Sequence, residues 1–123
     1  MKILVVDDER DVQILFEQRF RKEIRKGQVT FVFAFSGEEA IAILEKMDQE
    51  AVLILSDINM PGMSGLELLE HIKKTFFNPP PIVMMITAYG DDENRNTANK
   101  LGADAFLTKP LDFKQLKNEL LNI

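Results

Sequence analysis

Five times along the chain a short, mostly β-branched apolar run gives way to a stretch with apolar residues at helical spacing, and few folds can accommodate that alternation. "KILVVD" is continuous enough to be a strand buried on both faces. Val12, Leu15, Phe16, Phe20 and Ile24 then stripe one helix, which Gly27 ends. "VTFVFAF" (Val29 to Phe35) is the second strand, and Ser36 with Glu39 forms a capping box that opens a helix buried through Ala40, Ile41, Leu44 and Met47. "AVLILSD" is the third strand. Gly62 and Gly65 flank the turn into a helix carrying Leu66, Leu69, Ile72 and Phe76. "NPPP" (Asn78 to Pro81) forbids further helix before the fourth strand, "IVMMIT", where Met84 and Met85 read as packing residues. "DDENRNTANKL" is helical by position with little more than Ala98 and Leu101 to bury. "DAFLT" is a short fifth strand, and Phe113, Leu116 and Leu120 stripe the last helix. The implied architecture is α/β: a five-stranded parallel sheet, (βα)5, doubly wound with helices on both faces.

Length and composition narrow the function classes. A chain of 123 residues fits one domain, residues 1–123. There are no cysteines, so no disulfide or thiolate metal site is available. No apolar run approaches the ~20 residues of a membrane span, and the start is far short of a signal peptide. A formal charge of −5 argues against general nucleic-acid binding, which draws on Lys and Arg.

Ligands of open parallel sheets bind beyond the C-terminal ends of the strands. There the chain places Asp7 and Asp8 after strand one, Asp57 after strand three, Thr87 after strand four and Lys109 after strand five. Ser36, after strand two, is already used as a cap. Three adjacent carboxylates with one ammonium leave a net negative pocket that a hard divalent cation would neutralise. Mg²⁺ suits it best, since it takes one or two carboxylates and completes its shell with water and phosphate oxygens. No His or Cys cluster favours zinc, and His71, the single histidine, reads as a solvated helix residue.

These residues carry a resemblance. "LVVDDE", "LILSDINMPGMSGLELL", "MITAYG" and "GADAFLTKP" are together similar to the receiver domain of two-component response regulators, of the stand-alone, chemotaxis-regulator type, over the whole chain. The resemblance implies a flavodoxin-like strand order, 2-1-3-4-5. It implies that Asp57 is the phosphoacceptor. Asp8, Asp57 and the backbone carbonyl of Asn59 would bind one Mg²⁺, with Asp7 acting indirectly. Thr87 and Lys109 would contact phosphoryl oxygens, and Phe106 would be the aromatic whose rotamer follows Thr87. Asn59 and Tyr89 would flank the water path that sets phosphoryl lifetime, and the Lys109–Pro110 peptide would be cis. The implied partners are a histidine kinase or histidine phosphotransfer protein and a downstream protein. The latter would meet the face built from the fourth helix, fifth strand and fifth helix. The expected setting is cytoplasmic, as a monomer or a phosphorylation-dependent dimer, with no enzymatic activity beyond its own phosphorylation and autodephosphorylation.

The chemistry needs these residue types whatever the name. Phosphoryl transfer requires charge neutralisation and in-line positioning, and an Asp is a sufficient nucleophile that yields a labile acyl phosphate. Two rival functions fit the residues less well. A haloacid-dehalogenase-type Mg²⁺ phosphatase needs a second Asp two residues past the nucleophile, where this chain has Asn59. A non-phosphorylated receiver-like scaffold would have lost an acid or the Lys, and none is missing. The end of the chain soon after the last helix fits either a stand-alone receiver or a piece of a longer regulator.

Overall fold

The computed structural model describes residues 1–47, 53–76 and 80–121. The strands are β1 (Lys2–Val6), β2 (Thr30–Ala34), β3 (Leu53–Asp57), β4 (Ile82–Thr87) and β5 (Ala105–Thr108). The helices are α1 (Asp11–Arg19), α2 (Arg21–Arg25), α3 (Gly37–Met47), α4 (Gly65–Thr75), α5 (Asp92–Lys100) and α6 (Phe113–Leu121). All pairings are parallel and the order is β2-β1-β3-β4-β5. Order reverses between β1 and β3, the point at whose carboxyl edge ligands of such sheets bind.

Strand alternation divides the core in two. Leu4, Val6, Ile54, Val83 and Met85 face α3, α4 and α5, joined by Ala40, Leu44, Leu68, Leu69, Ile72 and Ala98. Ile3, Val5, Leu53, Leu55, Met84, Ile86 and Leu107 face the other way, against Phe16, Phe20, Leu116 and Leu120. The central strand β3 is buried along its whole length, which is why "LILSD" has no exposed alternate position.

Several local expectations are corrected. The single helix expected through Ile24 is two, because Phe20 leaves helical geometry (φ −105°, ψ 19°) at the end of α1. Leu15 and Ile24 lie outside the buried face, while Phe16 and Phe20 are fully buried. Phe16 and Phe20 lie near-parallel with centroids 5.9 Å apart, and Phe16 meets Phe31 and Phe113 edge-on at 5.4 and 5.2 Å. Two large rings thus cover the sheet where a wider aliphatic stripe was expected. On α4, Leu68 is buried and Leu66 only half so. Ser36 accepts the Glu39 amide, but Glu39 reaches back to the amide of Phe35 and not to that of Ser36. His71 is half-buried, edge-on to Phe76 at 6.4 Å, with its Nε2 unbonded among the described residues. The expected start of the third strand (Ala51, Val52) and the Asn78 and Pro79 of "NPPP" lie outside the described residues.

Candidate functional site

At the carboxyl edge, backbone hydrogen bonding fixes where each acid goes. The amide of Asp7 donates to the carbonyl of Ala34 at 3.1 Å, which continues the β1–β2 ladder one residue beyond the strand. The amide of Glu9 donates to Asp7 Oδ1 at 2.9 Å, turning the chain and aiming that carboxylate inward. Asp8 falls on the opposite side of the backbone from Asp7 in burial terms: it is exposed where Asp7 is buried.

Asp57 ends β3 and is 4% exposed. Its carbonyl accepts from Ser56 Oγ at 3.0 Å, and the next residue is tied on both sides. The Ile58 amide donates to Ile86 and its carbonyl accepts from Gly65 at 2.7 Å. Gly65 is required here by close approach. A Cβ at that position would run into the Asp57 carbonyl oxygen and stand 2.7 Å from Ile58 Cα. Ser64 and Glu67 form a full capping box at the same helix start, a signal legible in "SGLE" that the sequence reading passed over.

Lys109 Nζ donates to Asp57 Oδ2 at 2.7 Å, the one ion pair that crosses the pocket among the described residues. The Lys109 amide donates to Thr87 at 2.9 Å, and the Lys109–Pro110 peptide is cis. Thr87 is 3% exposed, and its hydroxyl donates to the Leu107 carbonyl at a long 3.4 Å. Asn59 and Tyr89 are exposed, Tyr89 by 90%. Phe106 is half-buried. Arg95, a mid-helix charge that no sequence signal marks, lies over its ring at 4.9 Å.

Asp7, Asp8 and Asp57 each bring one carboxylate oxygen within 4.8 Å of the others. Burial, the largest influence, holds the Asp7 carboxyl above the usual range, and the Asp57 and Asp8 charges push the same way against the Glu9 amide and Lys109. Partial burial disfavours the Lys109 ammonium, yet the hydrogen bond to Asp57 and the charges of Asp57, Asp7 and Glu9 outweigh it, so Lys109 titrates above its usual value. The donor set is all oxygen, anionic in excess of its one ammonium, and open to water on the Asp8 side. It fits a small hard cation that keeps several waters.

A doubly wound sheet with this acidic pocket at its switch point, and an ammonium and a hydroxyl from the last two strands, is the architecture of a phosphorylatable signalling domain. The chain belongs to the response regulator receiver domain family, whose sequence model matches residues 3–121. It is 38% identical over 112 residues to regulatory protein VanRc of Enterococcus gallinarum, covering 90% of this chain and 44% of that protein. It is 36% identical to sporulation initiation phosphotransferase F of Bacillus subtilis, covering 95% of this chain and 88% of that one. The chain therefore spans under half of the first relative and most of the second. Among solved structures, a receiver domain protein from Clostridium thermocellum superposes with a TM-score of 0.82 at 29% identity, covering 98% of this chain and 94% of that one. Receiver domains are signalling switches and not classical enzymes, and Mg²⁺ at an acidic pocket is typical of them. They work with histidine kinases or phosphotransfer proteins and with downstream targets. No helix among the described residues is long and apolar enough to cross a membrane.

Proposed function

We propose that residues 1–123 act as one receiver domain that accepts a phosphoryl group on Asp57 from a histidine kinase or histidine phosphotransfer protein, in the cytoplasm, and relays it as a change of surface. The observation that carries this reading is the buried Asp57 carboxylate, held at 2.7 Å by Lys109 inside a cluster with Asp7 and Asp8.

An Asp57 carboxylate oxygen attacks phosphorus as the bond to the donor nitrogen breaks, giving an acyl phosphate. Asp8, Asp57 and the carbonyl of Asn59, with Asp7 beside them, are the groups to hold one Mg²⁺, which would supply positive charge to the phosphoryl oxygens. Lys109 exchanges its Asp57 contact for a phosphoryl oxygen and stays protonated throughout the neutral range. Thr87 gives up a long, weak bond to Leu107 and donates to another phosphoryl oxygen, so little is lost when it moves. Phe106 turns into the space that Thr87 vacates. The face of α5, β5 and α6 changes with it, and α5 buries only Ala98, so little apolar contact opposes its movement. Asn59 and Tyr89 flank the approach of hydrolytic water and tune the lifetime of the signal.

Incubation with a low-molecular-weight acyl or amido phosphate tests the reading. Wild-type protein should gain one phosphoryl group only with Mg²⁺ present, and Asp57→Asn should gain none. Labelling of the variant at the wild-type rate would remove Asp57 from its role.

A further inference from the structure

The Arg95 guanidinium stands on the polar helix α5. Among the described residues it makes no ion pair, although Asp91 and Asp92 share its groove. Asp91 is already occupied, accepting from the backbone and side chain of Asn94 at 3.3 and 2.7 Å. Arg95 instead lies over the ring of Phe106, 4.9 Å from its centre.

The strand register says why that contact bears on the switch. Phe106 pairs with Met85, and Thr87 lies two residues further along the same strand. Side chains two apart share a face, so Thr87 is the diagonal neighbour of Phe106 on the side covered by α5. A groove of about 310 Å³ lined by Thr87, Ala88, Thr108 and Arg95 adjoins them. A cation over an aromatic face is attracted only while the ring presents that face. A ring turned toward Thr87 no longer does.

We propose that Arg95 is a positioning residue that holds Phe106 in the half-buried setting it has under the guanidinium and ties α5 to β5 through that ring, so that activation must break the Arg95–Phe106 contact. This rests on the proposed Asp57–Thr87–Phe106 switch. The latch raises the share of molecules with the ring under Arg95, and any ligand that selects the state with the ring turned toward Thr87 binds more weakly by that share. The alternative is an Arg stem resting on apolar surface with no bearing on the ring's state.

The test is binding of beryllium fluoride with Mg²⁺, a small mimic of a phosphoryl group on a carboxylate, followed by the amide spectra of residues 92–100. Arg95→Met keeps the stem and drops the charge. It should bind the mimic roughly two- to fivefold more tightly, and the α5 amides of the free protein should shift toward their bound positions. Arg95→Lys should fall between Met and wild type. In a Phe106→Leu background, Arg95→Met should change nothing. Equal or weaker binding by Arg95→Met, or the same gain without Phe106, would overturn the latch while leaving the switch standing. Wild-type protein that ignores the mimic, or binds it equally well as Asp57→Asn, would overturn both.

Discussion

Asp7 shows how the site sets its own stability against its function. Burial above all, then the Asp57 and Asp8 charges, raise its carboxyl above the ordinary value of 3.8. Such a group holds its proton more tightly folded than unfolded, so stability falls as pH rises from 3.8 through the folded-state value. Above that window a charged, buried Asp7 is a net cost, and below 3.8 both states are protonated and the cost is gone. In metal-free buffer, Asp7→Asn should therefore raise the urea midpoint at pH 7, with the gain shrinking as pH is lowered toward 3.8. A gain independent of pH would point to packing instead of charge. Lys109 has the opposite sign of charge and a raised value, so its contribution is complete below 10.5 and is lost as pH rises from there through its folded-state value. At this scale the sequence was informative wherever a polar residue ended a strand, as with Asp7, Asp57, Thr87 and Lys109. Arg95 and His71 sit mid-helix, where one charge or ring looks like any other until its neighbours across the fold are known.

The start of α4 is the element on which Asp57 depends most directly. Gly65 packs against the backbone of Asp57 and Ile58, which cannot move aside as a flexible side chain would. Gly65→Ala should lose about 1–3 kcal/mol of stability, the usual cost of overpacking. It should also slow phosphorylation by small donors more than a destabilised folded state alone explains. Urea denaturation and donor kinetics on the same preparation check this, and a stable variant with wild-type kinetics would mean that the loop accommodates the methyl. Strands were legible because "KILVV", "LILSD" and "IVMMIT" are too apolar for any exposed role. Helix faces were less so. Apolar residues at 14, 15 and 16 of α1 offer several stripes, and only the aromatic packing of Phe16 and Phe20 under Phe31 and Phe113 decides which one is buried.

At the scale of the whole molecule, the parallel sheet brings acids distant in sequence to one edge, and a bound cation would relieve their repulsion. A ligand that binds only the folded state stabilises it by mass action, about 2.7 kcal/mol at a hundred times its dissociation constant. Unfolding should shift upward with Mg²⁺ concentration. Asp8→Ala should abolish most of that shift while remaining at least as stable as wild type in its absence, since removing one of three crowded carboxylates relieves repulsion. An Mg²⁺-induced shift of full size in Asp8→Ala would place the ion elsewhere. The strand order followed from the family resemblance, since alternation alone predicts a parallel sheet without ordering its strands. The central claim, that one buried carboxylate carries the signal, is tested most directly by locating the phosphoryl group. Borohydride reduces an acyl phosphate on aspartate to homoserine, so protein phosphorylated by a small donor, reduced and digested should carry homoserine at position 57 alone. Homoserine at position 7 or 8, or none at 57 in fully phosphorylated protein, would contradict it.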